Sequence, residues 1–123
     1  MLTLKEITPW HEAEAIADIL DSVKYDEVVG LVIKGSQGPV YQRTGFAKVY
    51  DDALANGSLT AFLHYCTPGL GTAQDEATNL LHQLGARPAA LGIWLEIDDT
   101  RGVEGYQLTE YLTELIGYIN TPE

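Results

Sequence analysis

The chain has one cysteine, one methionine and only 7 lysines and arginines against 18 acidic residues, and its uninterrupted apolar runs are a few residues long. Each scarcity removes a class of protein. Cys66 alone cannot close an intrachain disulfide, so nothing in the sequence calls for an oxidising compartment. Without a long apolar stretch there is no candidate membrane span, and the opening MLTLKE reaches Glu6 and then His11 where a secretory leader would stay apolar. Cytoplasmic synthesis is expected, with release by lysis or carriage in a virion compatible with it. A net charge of -11 repels phosphate backbones and anionic lipid, so neither nucleic acid nor membrane is expected as a partner. The same charge opposes long-range attraction to an anionic bacterial wall. There is no metal-ligand spacing, phosphate-cradling glycine loop or nucleophile elbow, and no cofactor or metal is expected.

What is present is an ordinary globular composition, 46% hydrophobic and 20% charged over 123 residues, which fits one domain spanning 1–123. Four stretches rich in aliphatic and β-branched residues, Leu2 to Ile7, Val28 to Lys34, Leu59 to Tyr65 and Leu91 to Ile97, read as strands. Between and after them run helical stripes. Ile16, Ile19, Leu20 and Val23 fall at i, i+3, i+4, i+7, as do Phe46, Val49, Tyr50 and Ala53, and Ala77, Leu80, Leu81 and Leu84; Leu108, Leu112, Leu115 and Ile119 make a fourth. Gly57 and Gly85 suit left-handed helix ends, and Thr72 with Asp75 has capping-box spacing. The alternation predicts an α/β protein of parallel βαβαβαβα order. Gly35 to Pro39 and Cys66 to Gly71 then become loops on the carboxyl edge of the sheet, where ligands bind in such folds.

That edge carries the chemistry. Ile93-Trp94-Leu95-Glu96-Ile97-Asp98-Asp99 is an apolar strand ending in acids at i and i+2, and strand alternation would put Glu96 and Asp98 on one face. Crowded carboxylates repel, which can split a pair into a proton donor and a base, the arrangement used in glycosidic cleavage. The same acids also suit a solvated strand end entering a polar loop. Glu6, Thr8 and His11 follow the first strand, Lys34, Ser36 and Gln37 the second, and His64 and Tyr65 end the third. Trp10 and Trp94 could stack on a sugar or pack against the fold.

These segments resemble the family 25 glycoside hydrolases, the lysozyme-like muramidases. That family opens with a strand of the form Ile-Asp-Val-Ser-x-Trp/Tyr-Gln, and here Glu6-Ile7-Thr8-Pro9-Trp10-His11 stands in its place. Its second strand runs into Lys-Ala-Thr-Glu-Gly, beside Leu31-Val32-Ile33-Lys34-Gly35-Ser36-Gln37-Gly38. Its third ends in Tyr-His-Tyr or Tyr-His-Phe, beside Leu63-His64-Tyr65, and its fourth in Asp-x-Glu, beside Glu96-Ile97-Asp98. All four occur in order and at the right spacing. The family's acids are exchanged at each position, its second-strand glutamate is Gln37, and four strand-helix units make half of a TIM-like (β/α) barrel. The resemblance implies a domain that acts on or recognises peptidoglycan or a related glycan, with Glu6, Glu96 and Asp98 as the catalytic set and Trp10, Gln37, His64, Tyr65 and Asp99 lining the substrate. Exchanged acids predict weak or lost hydrolysis, since a displacement of about 1 Å can cost roughly a hundredfold in rate. A non-enzymatic assembly domain is the alternative. Half a barrel leaves sheet edges open, which predicts self-association, completion by a longer polypeptide, or cover from the chain's own termini.

Overall fold

The computed structural model describes residues 4–7 and 30–121. The first helical stripe, around Ile16 to Val23, and the candidate residues Thr8, Trp10 and His11 lie outside the described residues. The elements follow in the order β1 (Leu4–Ile7), β2 (Gly30–Gln37), β3 (Tyr41–Gln42), α1 (Phe46–Ala55), β4 (Leu59–Tyr65), α2 (Ala73–Leu84), β5 (Ile93–Glu96) and α3 (Gly105–Asn120). The sheet runs β1-β2-β4-β5, with β3 attached to β2. β1 and β2 are parallel, Leu4 opposite Gly30 through Ile7 opposite Ile33. β2 is buried from Gly30 to Ser36, as expected of an interior parallel strand covered on both faces. The result is an α/β fold in which helices connect strands of one sheet.

Two compact units divide the chain, and the division falls within β2, β4 and β5. The first holds β1, the starts of those three strands and α1. Phe46 and Tyr50, one turn apart on α1, put the helix's apolar stripe on β4: the Phe46 ring stands 5.1 Å from Tyr50 and edge-on to Phe62 at 5.3 Å. Tyr50 buries its ring without stranding its hydroxyl, which donates to the Pro88 carbonyl at 2.9 Å and accepts from Thr60 Oγ1 at 2.8 Å. Burial pushes the Tyr50 phenol above its ordinary value, the Thr60 hydrogen bond and the Arg87 charge opposing that rise.

The second unit holds the strand ends, β3, α2 and α3. Thr72 caps α2 by accepting from the Asp75 amide at 3.1 Å, while Asp75 and Glu76 in the first turn and His82 in the last complement the helix dipole. α2 buries Ala73, Glu76, Ala77, Leu80 and Leu84 and packs on α3, whose Leu115 is fully buried. No helix of the described residues is long and apolar enough to cross a membrane.

Two boundaries differ from those expected. Gly35 to Gln37 are not loop: β2 continues through them, turns at Gly38 in the left-handed region (φ 62) and returns as β3, Ser36 opposite Gln42 and Gln37 opposite Tyr41. A Cβ on Gly38 would stand 2.7 Å from Thr67 Oγ1, so both dihedral and space require glycine there. Asn79 of α2 clamps this hairpin, its Nδ2 donating to the carbonyls of Gly38 and Tyr41 at 3.0 Å each. The fourth long strand is shorter than expected and ends at Glu96.

Candidate functional site

Within the second unit, the ends of β2 and β4 and the loop after β5 enclose a cavity of about 150 Å³ lined by Gln37, Tyr65, Cys66, Thr67, Asp98, Asp99 and Arg101. Gln37 and Tyr65 are the last residues of their strands, so the fold delivers both to the carboxyl edge. Asp98 and Asp99 are exposed in the bend that follows β5. Asp99 shapes that bend by accepting the Arg101 amide on Oδ1 at 2.8 Å, and Arg101 takes the left-handed conformation, φ 54, the one non-glycine residue with positive φ among those described. Next to it, sharing Gln37 and Thr67, lies a more apolar hollow of about 400 Å³ walled by Gly38, Pro39, Val40, Tyr41 and Leu70.

Behind the cavity wall is a buried polar chain. Ser36 Oγ lies 2.7 Å from His64 Nδ1, and His64 Nε2 lies 2.7 Å from Glu76 Oε1, with all three residues fully buried. With Glu76 as carboxylate, Nε2 is the donor, and Nδ1 of a neutral ring accepts the Ser36 hydroxyl proton. Glu76 Oε1 also accepts the Thr67 amide at 3.1 Å, so the helix carboxyl fixes the loop that walls the cavity. The Cys66 thiol, buried beside it, is pushed up to about 12, first by burial and then by the negative charge of Glu76. Donor atoms of His64, Cys66 and Glu76 lie within 4.8 Å of one another. The 2.7 Å His64–Glu76 separation is a hydrogen-bond length, however. Two ligands of a tetrahedral zinc stand about 3.3 Å apart, so the trio is built as a structural relay.

The structure distributes the sequence-derived residues unevenly. Gln37, Tyr65, Asp98 and Asp99 share the cavity wall. His64 stands behind it in the relay. Glu96 is half-buried and outside the wall; its carbonyl accepts the Cys66 amide at 2.7 Å, which ties the end of β5 to the loop after β4. Because β5 stops at Glu96, strand alternation does not carry on to Asp98, and the expected side-by-side placement of these two acids lacks its premise. Glu6, exposed on β1 opposite Val32, belongs to the first unit. Thr67, Arg101 and Glu76 were not singled out from the sequence. For Glu76 a signal exists: it falls between Ala73 and Leu80 at helical spacing, on the stripe that α2 buries.

No protein-family profile and no curated protein matches this sequence. Solved structures do. A muramidase from Trichobolus zukalii superposes with a TM-score of 0.79 at 12% identity over 98% of this chain and 60% of that one. A muramidase from Acremonium alcalophilum gives 0.78, 12%, 98% and 60%. A family GH25 lysozyme from Aspergillus fumigatus gives 0.69 at 18% identity over 82% of this chain and 53% of that one. The chain therefore has the GH25 muramidase-like α/β fold and spans at most 60% of the length of these proteins.

Proposed function

We propose that the chain is a lysozyme-like module that recognises bacterial peptidoglycan, with glycosidic hydrolysis weak or lost. The observation that carries this reading is the cavity at the strand ends, where Tyr65 offers an aromatic face and Gln37, Asp98 and Asp99 offer the hydrogen-bonding groups that orient sugar hydroxyls. Recognition is favoured over cleavage by where the acids stand. Hydrolysis takes two carboxyl groups flanking the scissile bond, about 5 to 9.5 Å apart. Here the two acids of the wall are consecutive residues of one loop, and the residue at the end of β2 is Gln37, an amide that neither donates nor removes a proton in catalysis. Residual cleavage would use Asp98 as proton donor to the leaving oxygen.

Co-sedimentation with purified peptidoglycan tests the reading, beside a turbidity assay on whole walls. Saturable binding that Tyr65→Ala weakens about tenfold, with little clearing of the suspension, is the expected result. Rapid clearing abolished by Asp98→Asn would show an enzyme instead, and no binding at all would remove glycan as the ligand. In that last event α3 offers the ground for an assembly role, since Tyr106, Ile116 and Tyr118 are exposed on it.

A further inference from the structure

We infer that the outer face of α3 docks a basic amphipathic helix of a protein partner, an inference independent of the glycan reading. The inner face, centred on the fully buried Leu115, packs on α2. On the outer face Tyr106, Glu110, Glu114 and Tyr118 fall at i, i+4, i+8 and i+12, so they form one ridge along the helix, two carboxylates between two aromatic rings. All four are exposed, Tyr106 at 80%, and none of their side chains enters a hydrogen bond or ion pair among the described residues. The neighbouring row is low, running through Thr109, Thr113 and Gly117, and a Cβ on Gly117 would meet nothing within 4 Å. Its hydroxyls are turned back on the helix, Thr109 donating to the Gly105 carbonyl at 3.2 Å and Thr113 to the Thr109 carbonyl at 2.8 Å, so the row has no donor left to satisfy. A tall row beside a shallow one is the relief into which a second helix packs, its ridge in the groove and its axis inclined by about 50°.

Charge identifies the occupant. Glu110 and Glu114 are like charges one turn apart, which weakens a helix, and neither lies in the first turn, where the helix dipole would favour it. No lysine or arginine follows Arg101 in the sequence to offset them. A partner helix with two basic residues one turn apart would pair with both carboxylates and lay guanidinium planes on the Tyr106 and Tyr118 rings. A second copy of this chain brings the same carboxylates to the contact, and among its 7 lysines and arginines no two stand three or four positions apart. Anionic polymers and lipid surfaces are repelled.

The test is a fluorescence-anisotropy titration of the full chain against three labelled synthetic helices. The first carries arginines one turn apart, flanked by leucines, with alanines along the packing row; the second has glutamates in place of the arginines; the third is a scramble of the first. The arginine helix is expected to bind at least tenfold more tightly than the other two. Glu110→Gln combined with Glu114→Gln should lose about tenfold, and Gly117→Leu, which fills the groove, should lose as much. Because Gly117 is exposed and leucine is the better helix former, melting temperature should not fall in Gly117→Leu, which separates loss of docking from loss of fold. Equal binding of the scramble, or binding that survives Gly117→Leu, would show charge attraction without a docking face and overturns the inference. So does failure of the arginine helix to bind, and so does light scattering that finds a dimer of the parent chain dissolved by Gly117→Leu, which would give the face to a second copy.

Discussion

His64 Nε2 and Glu76 Oε1 meet at 2.7 Å with neither residue exposed to solvent. Removing Glu76 strands the His64 Nε2–H and the Thr67 amide without an acceptor, at about 1 to 3 kcal/mol for a buried donor left unmade. Glu76→Ala should lose about that much stability in urea unfolding. Glu76→Gln keeps an acceptor for the His64 ring and the Thr67 amide and should lose less than half as much.

The Cys66 thiol gives the fold an alkaline limit. Its value in the folded chain, about 12, lies above the ordinary 9.0, so the folded state favours the neutral thiol. Its contribution is complete below pH 9 and disappears as pH rises from 9 toward 12, because the unfolded chain releases the proton first. Tyr50, also raised by burial, acts in the same direction above its ordinary 10.0. Melting temperature should fall across this window in the parent chain and fall less in Cys66→Ala. At pH 8 the folded protein should leave Cys66 unreactive to a thiol reagent that labels it at once in denaturant.

Asn79 offers a separate handle on the cavity. Its two 3.0 Å bonds hold the β2–β3 hairpin to α2, so Asn79→Ala should cost about 2 kcal/mol at roughly 1 kcal/mol per bond. Because Gln37 ends β2 inside that hairpin, peptidoglycan binding should weaken even at temperatures where the variant is fully folded. Unchanged binding would mean that Gln37 is placed by β2 alone.

Gly38 and Thr67 should behave as a coupled pair. Gly38→Ala meets Thr67 Oγ1 and also forces alanine to positive φ, for a combined loss of about 1 to 3 kcal/mol. Thr67→Ala in that background removes the clash but not the dihedral strain, and should restore part of the loss. A double-mutant cycle with no coupling energy would show that strain accounts for the whole effect.

These residues mark how far the sequence could be read. The third expected strand, Leu59 to Tyr65, and the helices at Phe46, Ala77 and Leu108 are found, because each buries a stripe whose period is written in side-chain type. β3 was invisible, since two residues hold no period and the hairpin depends on Gly38 and on Asn79 reaching from a distant helix. Gln37, Tyr65, Asp98 and Asp99 could be placed on one edge from strand ends alone. Arg101 could not, as its position follows from a bend set by Asp99. The Ser36–His64–Glu76 chain joins residues 28 and 12 positions apart, and only the packing of α2 brings them together.

Gln37 and Thr67 stand in the walls of both hollows, the small polar one and the larger apolar one beside it. Two depressions with a common partition are read by one ligand more economically than by two. On the proposed glycan reading, a single ring would fill the polar side and leave Tyr41, Val40 and Leu70 wet, whereas a longer strand would lay its next unit over them without a second loss of translational freedom. Affinity should therefore climb in a step when the glycan grows past the partition and then level off, giving the molecule a sense of polymer length.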